Sequence, residues 1–588
     1  MRKFFVMLFI LAFSLASAGV LLSQGTKEDE NFIKTLEDYL DSIWKFYPTQ
    51  ATLAGFHDYD DKLEDFSSRN VTKQYKELDE MNKTFVVEID KDKLSPEVKI
   101  DHAMIIDGLS LELQQHESLL PWEYDPLFYN KIIFNCVRPL MTGDFGNPED
   151  RAKNAVKRLN SLPKFLKEAM KSLKTPPQLS TETAIDQFPA IMNFYQNEMP
   201  QLIQEAPESQ KSDLQGKLAD VIPALQEYQS YLTNELLPKS TGNFRLLQAH
   251  VKMARMSFQN LTPLQQIGER AKVDINNIRR EMALICVSFY KIMEPKFDVE
   301  KPPSNLTEEQ VRNVIISHVL DKLKVFHPTK DDFMEALKTT QQEVKTFLQE
   351  KELLENLPEA ELNIEEMPKI YQTGNRFRMV RPALYDNSNQ YTLQIAPFDE
   401  ELSEEETQAL LEEYNSFILP FYAARNIYPG TFVPTYLSLE NASLPQKLYP
   451  NRALISGWPL FVEEMMALSG IGNYDLRVRL HQLKMKLRAA IDFMLDLQIH
   501  EGGMTKEQAV NYMTRMGFQS EVEAERNWDR IVLMPLEAAY PYVGYQAMLD
   551  MEKKYKNTKG DAYSRKEFLQ EILSYGPIPL RLLREKIK

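Results

Sequence analysis

The chain has 588 residues, 43% of them apolar, and a formal charge of −16 at pH 7. The acidic balance argues against a nucleic-acid partner, because phosphate binding needs a basic surface, and two cysteines in so long a chain are no disulfide framework. With only 20 glycines and recurrent Leu, Glu, Lys, Gln and Ala, the composition predicts a mainly α-helical fold.

At the N-terminus, Arg2-Lys3 precede an apolar run from Phe4 to Leu15, and Ala16-Ser17-Ala18 follow. This is the pattern of a cleaved signal peptide, assigned to residues 1–24. An uncleaved anchor helix is the alternative, since Val20-Leu21-Leu22 prolong the apolar stretch. Loss of Arg2 and Lys3 would take the formal charge from −16 to −18. No cysteine follows the run, so nothing marks a lipid attachment site, and no later stretch is apolar enough to span a bilayer. The expected location is outside the cytoplasm, periplasmic or extracellular, for one domain over residues 25–588.

Phe32–Trp44 has helical spacing through Ile33, Leu36, Tyr39, Leu40 and Ile43. It leads into Pro48-Thr49-Gln50-Ala51 and Gly55-Phe56-His57-Asp58. Cys136 and Cys286 fit either two buried thiols or a bridge. Tyr391–Ile395 alternates apolar and polar residues after turn residues Asp386–Asn389, which predicts a small β-hairpin around 376–396. Ser403 and Glu406 form a capping-box pattern before an amphipathic helix carrying Leu410, Tyr414, Phe417 and Phe421 to the break at Pro429-Gly430. A helix carries Trp458–Leu468. A long one carries Leu476, Leu480, Leu483, Leu487 and Met494 and stops at His500-Glu501-Gly502-Gly503, with His500 as a cation favoured by the helix C-terminus. Thr505 with Gln508, then Ser564 with Glu567, start two more, the second expected to be the last.

Residues 423–434 read Ala-Ala-Arg-Asn-Ile-Tyr-Pro-Gly-Thr-Phe-Val-Pro, and 457–466 read Gly-Trp-Pro-Leu-Phe-Val-Glu-Glu-Met-Met. Together they resemble the bacterial domain of unknown function 885 family, which is similar to zinc-dependent peptidases. Its first segment usually reads H-E-x-Y-P-G-H-Y-V-Q and its second G-W-A-x-Y-x-E-x-M-M. Laid on without gaps, the first His falls on Arg425, the Glu on Asn426 and the second His on Thr431, while the later Glu is kept as Glu463. Pro48–Gly55, Arg151–Leu173 and Ala249–Met282 extend the resemblance over most of the chain. Near the C-terminus, Trp528-Asp529-Arg530 and Tyr540–Tyr545 resemble the family's K-W-x-R and S-T-Y-F-V-G-Y segments, with Arg530 kept and the family Tyr falling on Pro541, flanked by Tyr540 and Tyr542.

The resemblance implies a large multi-helical zinc-peptidase-like fold with a central channel, its motifs within 375–588, and a β strand whose edge pairs with an extended peptide. A strand that only caps the core is the alternative. A catalytic zinc takes three protein ligands and a water whose proton a nearby Glu accepts. Arg425 would repel a divalent ion and Asn426 is no base, so neither catalytic residues nor a metal or other cofactor are expected, and Arg425 and Glu463 are expected to pair. Of the eight histidines, no two sit three or four apart on one helix. Adjacent Glu463 and Glu464 point in different directions and cannot share a site. The cleft candidates are Arg425, Asn426, Thr431, Glu463, Arg530, Tyr540 and Tyr542, and the expected ligands are peptides. The alternatives left open are a peptidase or other hydrolase with a rebuilt metal site, and a structural or partner-binding envelope protein. The oligomeric state is not legible.

Overall fold

The structure is a computed structural model that describes residues 25–294, 306–354, 361–386, 388–399, 402–440 and 442–588. The signal-peptide assignment, residues 1–24, lies outside the described residues, as does Asn387 of the expected turn. The described chain is mainly helical with one small sheet.

Helix α1 (Lys27–Phe46) opens with a reciprocal capping box between Thr26 and Asp29, which satisfies two otherwise orphaned N–H groups. It buries Phe32, Leu36, Tyr39, Leu40 and Ile43; Ile33, counted on that face from sequence, is instead half exposed. The next segment, with Pro48 and Ala51, is held by Arg158. Helix α2 (Pro96–Gln114) and helix α3 (Pro148–Ser172) follow. Arg158 is fully buried and donates to the carbonyls of Pro48, Lys62 and Cys136 and to the Thr52 hydroxyl, at 2.6–3.1 Å. Its charge is thus spread over backbone dipoles, the compensation a buried guanidinium requires. Helix α4 (Glu208–Tyr231) packs along α3 and completes an N-terminal core.

A second core is built by helix α5 (Gln248–Phe258), helix α6 (Leu264–Met293) and most of the described residues C-terminal to them, while Ile370 is buried in the N-terminal core. Strands β1 (Glu361–Glu366), β2 (Phe377–Val380) and β3 (Gln390–Ile395) make a sheet of order β1-β3-β2. β2 and β3 are the expected antiparallel pair, with Phe377 opposite Ile395. β1 adds in parallel on the other side, Glu361 opposite Gln390. Tyr391–Ile395 is therefore the central strand, not the edge strand that peptide pairing requires. Its Tyr391, Leu393 and Ile395 are buried, as the period predicts, and as a central strand it also buries Gln394 on the other face.

The single amphipathic helix expected after Ser403 is two: helix α7 (Glu404–Glu412), which has the capping box, and helix α8 (Leu419–Asn426). Between them Asn415 donates to the Glu412 carbonyl and accepts from the Phe417 N–H, replacing helical bonds. Pro420 could not have continued the helix, having no N–H to donate. Then come helix α9 (Arg452–Leu468), helix α10 (Leu476–His500), helix α11 (Lys506–Gly517) with its Thr505–Gln508 capping box, helix α12 (Glu521–Leu533) and helix α13 (Tyr540–Lys559). The helix capped by Ser564, α14 (Arg565–Ser574), is followed by one more, α15 (Leu580–Lys586). Leu580 and Leu583 are buried there, so the chain end closes the core.

The two cores meet along α2: Asp107 accepts from Arg581, and Gln114 donates to the Ala249 carbonyl. Cys136 and Cys286 are buried free thiols in different cores. No helix among the described residues is long and apolar enough to cross a membrane.

Candidate functional site

The turn after α8 folds back tightly on the helix that precedes it. The Gly430 N–H bonds the Ala424 carbonyl and the Thr431 N–H bonds the Arg425 carbonyl, both at 2.8 Å. The Tyr428–Pro429 peptide is cis. A Cβ on Gly430 would lie 2.0 Å from the Arg425 carbonyl oxygen, so no side chain fits there. The turn is pinned from α9 by Trp458, fully buried, whose indole N–H donates to the Pro429 carbonyl at 2.9 Å. Residues 425 and 431 are thereby set side by side, with α9 across from them.

Glu463 projects from α9 and is fully buried. Arg425 meets it with two parallel hydrogen bonds, Nε to Oε1 at 2.6 Å and Nη2 to Oε2 at 2.9 Å, while its own side chain stays 27% exposed. The planar guanidinium matches both carboxylate oxygens at once. Burial pushes the Glu463 carboxyl up, and the Arg425 charge and hydrogen bonds offset only part of that. For Arg425 burial acts downward, and Glu463 outweighs it. The arginine decides the state, because a guanidinium keeps its proton throughout the accessible range and so keeps the carboxylate ionised.

The other two motif positions turn away. The Thr431 hydroxyl donates to the Arg425 carbonyl at 3.0 Å, and the Asn426 amide donates to the Tyr422 carbonyl at 3.0 Å, back along α8. Arg530 on α12 pairs with Asp492 on α10 at 2.8 Å, and Asp492 also acts on the charge of Arg425. Tyr540 and Tyr542 are engaged elsewhere. Tyr540 lies under Arg452 and edge-on to Phe258, and Tyr542 donates to Asp274 at 2.7 Å and packs against Phe493. Glu464 has its own partners, Lys486 at 3.0 Å and the Tyr545 hydroxyl, and shares nothing with Glu463.

What the sequence reading missed is the face of α10 on which Asp492 sits. Lys484, Arg488, Asp492, Asp496 and His500 recur every fourth residue, along one ridge that winds slowly around the helix, and all are buried or nearly so. Each has a partner on a facing segment. Lys484 and Arg488 converge on Glu413 at 3.1 and 2.7 Å. Burial pushes the Glu413 carboxyl up, but Arg488 and Lys484 hold it down at about 2. Asp492 takes Arg530 and the Asn527 amide; Asp496 takes His250 at 2.7 Å and the Leu536 N–H at 2.9 Å. His500 donates through Nε2 to the Ile531 carbonyl at 2.9 Å, and burial pushes its imidazole down. It is a buried neutral histidine, not the helix-end cation expected from its position. The four-residue spacing was available in the sequence, but on a helix that also carries Arg477, Arg479 and Lys486 a row of mixed charges resembles a solvated face. Among the described residues no group of three or more His, Cys, Asp or Glu side chains is arranged to hold a metal ion.

The family model for bacterial proteins of unknown function designated DUF885 matches residues 48–587, and the chain belongs to that family. Two solved structures, each described as a "putative lipoprotein", have the same fold. One, of unknown function and from Shewanella oneidensis, is 25% identical with a TM-score of 0.79, over 94% of this chain and 99% of that one. The other, from Colwellia psychrerythraea, is 16% identical with a TM-score of 0.73, over 95% of this chain and 99% of that one. No curated protein matches the chain.

Proposed function

We propose that this family member is an exported, catalytically degenerate relative of zinc peptidases that retains peptide binding in a channel beside α8. The observation that carries the reading is the bidentate Arg425–Glu463 pair. It occupies the two positions where the motif resemblance expects a His and a Glu ligand, and it consumes both oxygens of the carboxylate. The residues present do not fit a zinc ion: Arg425 is a fixed cation, and Thr431 and Asn426 spend their side chains on backbone carbonyls. No hydrolytic step is therefore derived. One domain spanning 25–588, behind a signal of residues 1–24, completes the proposal.

Peptide binding draws support from the sheet rather than from its central strand. β2 lies against α8, with Phe377 stacked on Tyr422 at 6.0 Å. Its outer side is the strand edge nearest the Arg425 helix and the natural place for an added strand. The names of the two structural relatives accord with export.

Elemental analysis of the purified protein, after exchange through zinc-containing buffer and desalting, tests the reading. Well under one zinc per chain is expected. A tightly held equivalent would overturn it and restore the hydrolase with a rebuilt metal site.

A further inference from the structure

A cavity of about 630 Å³ opens between α5, the start of α6 and the C-terminal end of α10, away from the motif pair. Asp492 and Glu501 are nine residues apart, roughly 13 Å along the helix. The volume is that of an ordinary small-molecule site. The wall is apolar where Phe258, Leu264, Met494 and Leu497 line it, and two charged groups of opposite sign stand in it, Arg255 and Glu501. The other pair of charges at its rim, Glu269 and Lys272, neutralise each other at 2.8 Å.

Glu501 belongs to a built arrangement. His250, fully buried, gives Nδ1 to Glu501 Oε1 and Nε2 to Asp496 Oδ1, both at 2.7 Å. Asp496 is completed from behind by the Leu536 N–H. An imidazolium between two carboxylates leaves one negative charge over. Asp496 is sealed in the core, so that charge is available at Glu501, whose second oxygen has no hydrogen-bond partner among the described residues. Arg255 is exposed and, among the described residues, has neither a hydrogen-bond nor an ion-pair partner. The cavity therefore offers one free anion, one free cation and apolar surface between them.

We propose that this cavity binds a zwitterion with an apolar body, an apolar α-amino acid or short apolar peptide, its ammonium at Glu501 and its carboxylate at Arg255. The site is separate from the peptide-binding reading of the motif region and does not rest on it. Ammonium and carboxylate each gain a charge-assisted hydrogen bond in a half-enclosed site, while the side chain covers the apolar wall.

Isothermal titration of the whole protein with L-phenylalanine and with the dipeptide Leu-Phe tests this. N-acetyl-L-phenylalanine and phenethylamine, each lacking one charge, are the comparisons. One saturable site is expected for at least one zwitterion, at least tenfold weaker for both blocked compounds, and weakened at least tenfold by Arg255→Ala and by Glu501→Gln. Absence of saturable binding by both zwitterions, equal binding of the blocked compounds, or binding indifferent to Arg255→Ala would each overturn the proposal. Arg255 is exposed, so its variant decides the matter even if Glu501→Gln, by stranding His250, impairs folding. Binding kept undiminished in both Arg255→Ala and Glu501→Gln would place the ligand elsewhere and refute this site while sparing the reading of the motif region.

Discussion

Arg425 and Glu463, 38 residues apart in sequence, face each other through two parallel hydrogen bonds, and the carboxylate has no access to solvent. Removing Arg425 strands the fully buried Glu463 charge, which costs about 3–5 kcal/mol, whereas Arg425 without its partner is 27% exposed. Chemical denaturation of Arg425→Met, Glu463→Gln and the double variant should show that Glu463→Gln alone is mild, since it removes the buried charge. Arg425→Met alone should be severe, and the double variant should recover most of the loss. Additive effects with no coupling would show that the pair adds nothing to cohesion between α8 and α9.

The same geometry makes a constructive test. If positions 425, 431 and 463 are a vacated metal site, Arg425→His with Thr431→His frees the Glu463 carboxylate and supplies two imidazoles. Elemental analysis should then find about one zinc per chain, with a chelator-sensitive melting temperature that the unsubstituted protein lacks. A folded double variant that takes up no zinc would show that the turn does not present these residues to a common point.

Gly457 on α9 and Gly544 on α13 touch backbone to backbone. A Cβ on Gly544 would fall 1.8 Å from the Ala453 carbonyl oxygen, and one on Gly457 would fall 2.4 Å from the Gly544 carbonyl carbon. Backbone cannot rotate aside, so Gly544→Ala should destabilise by about 3 kcal/mol or more, the upper end for overpacking. Gly216→Ala, at an exposed site on α4 with nothing within 4 Å, should instead stabilise by about 0.5–1 kcal/mol. Equal effects in thermal melts would refute the close-packed crossing.

His250 sets a pH dependence of definite sign. Burial pushes its imidazole down, but the hydrogen bonds and charges of Asp496 and Glu501 outweigh burial and leave it above the ordinary 6.5, with the neutral His500 ring stacked at 4.9 Å. A raised pKa stabilises the fold fully below the unfolded value, and that contribution is lost as pH rises through the folded value. The stability gap between the natural chain and His250→Gln, from urea melts, should thus be widest near pH 6 and narrow toward pH 9. A gap that widens with pH would mean that the histidine is held neutral.

Lys484 and Arg488 share Glu413 but should not be equivalent. For Lys484 burial outweighs the attraction of Glu413 and leaves the ammonium near 8, whereas for Arg488 Glu413 outweighs burial. Lys484→Met relieves a penalty and leaves Arg488 on the carboxylate, so its cost at pH 7 should be under about 1 kcal/mol. Arg488→Met should cost about 3–5 kcal/mol. Equal losses would show that both cations are needed to neutralise the site.

Much of this molecule follows from short-range rules. The capping pairs Ser403–Glu406 and Thr505–Gln508 start helices where they were expected, and α10 runs from Leu476 to His500 as its spacing requires. Period and capping are properties of a few adjacent residues, so one sequence determines them. The opposition of Arg425 and Glu463 was also legible, but only through the motif resemblance. The sequence left open what depends on partners distant along the chain. β3 became the central strand because β1 adds beside it, and Asn415 with Pro420 split the helix expected before the motif. The charged row from Lys484 to His500 became a buried seam, because Glu413, Arg530, His250 and the Ile531 carbonyl meet it one by one. A charge is tolerable inside only where its compensation arrives in three dimensions, and that arrival is what tertiary structure alone decided.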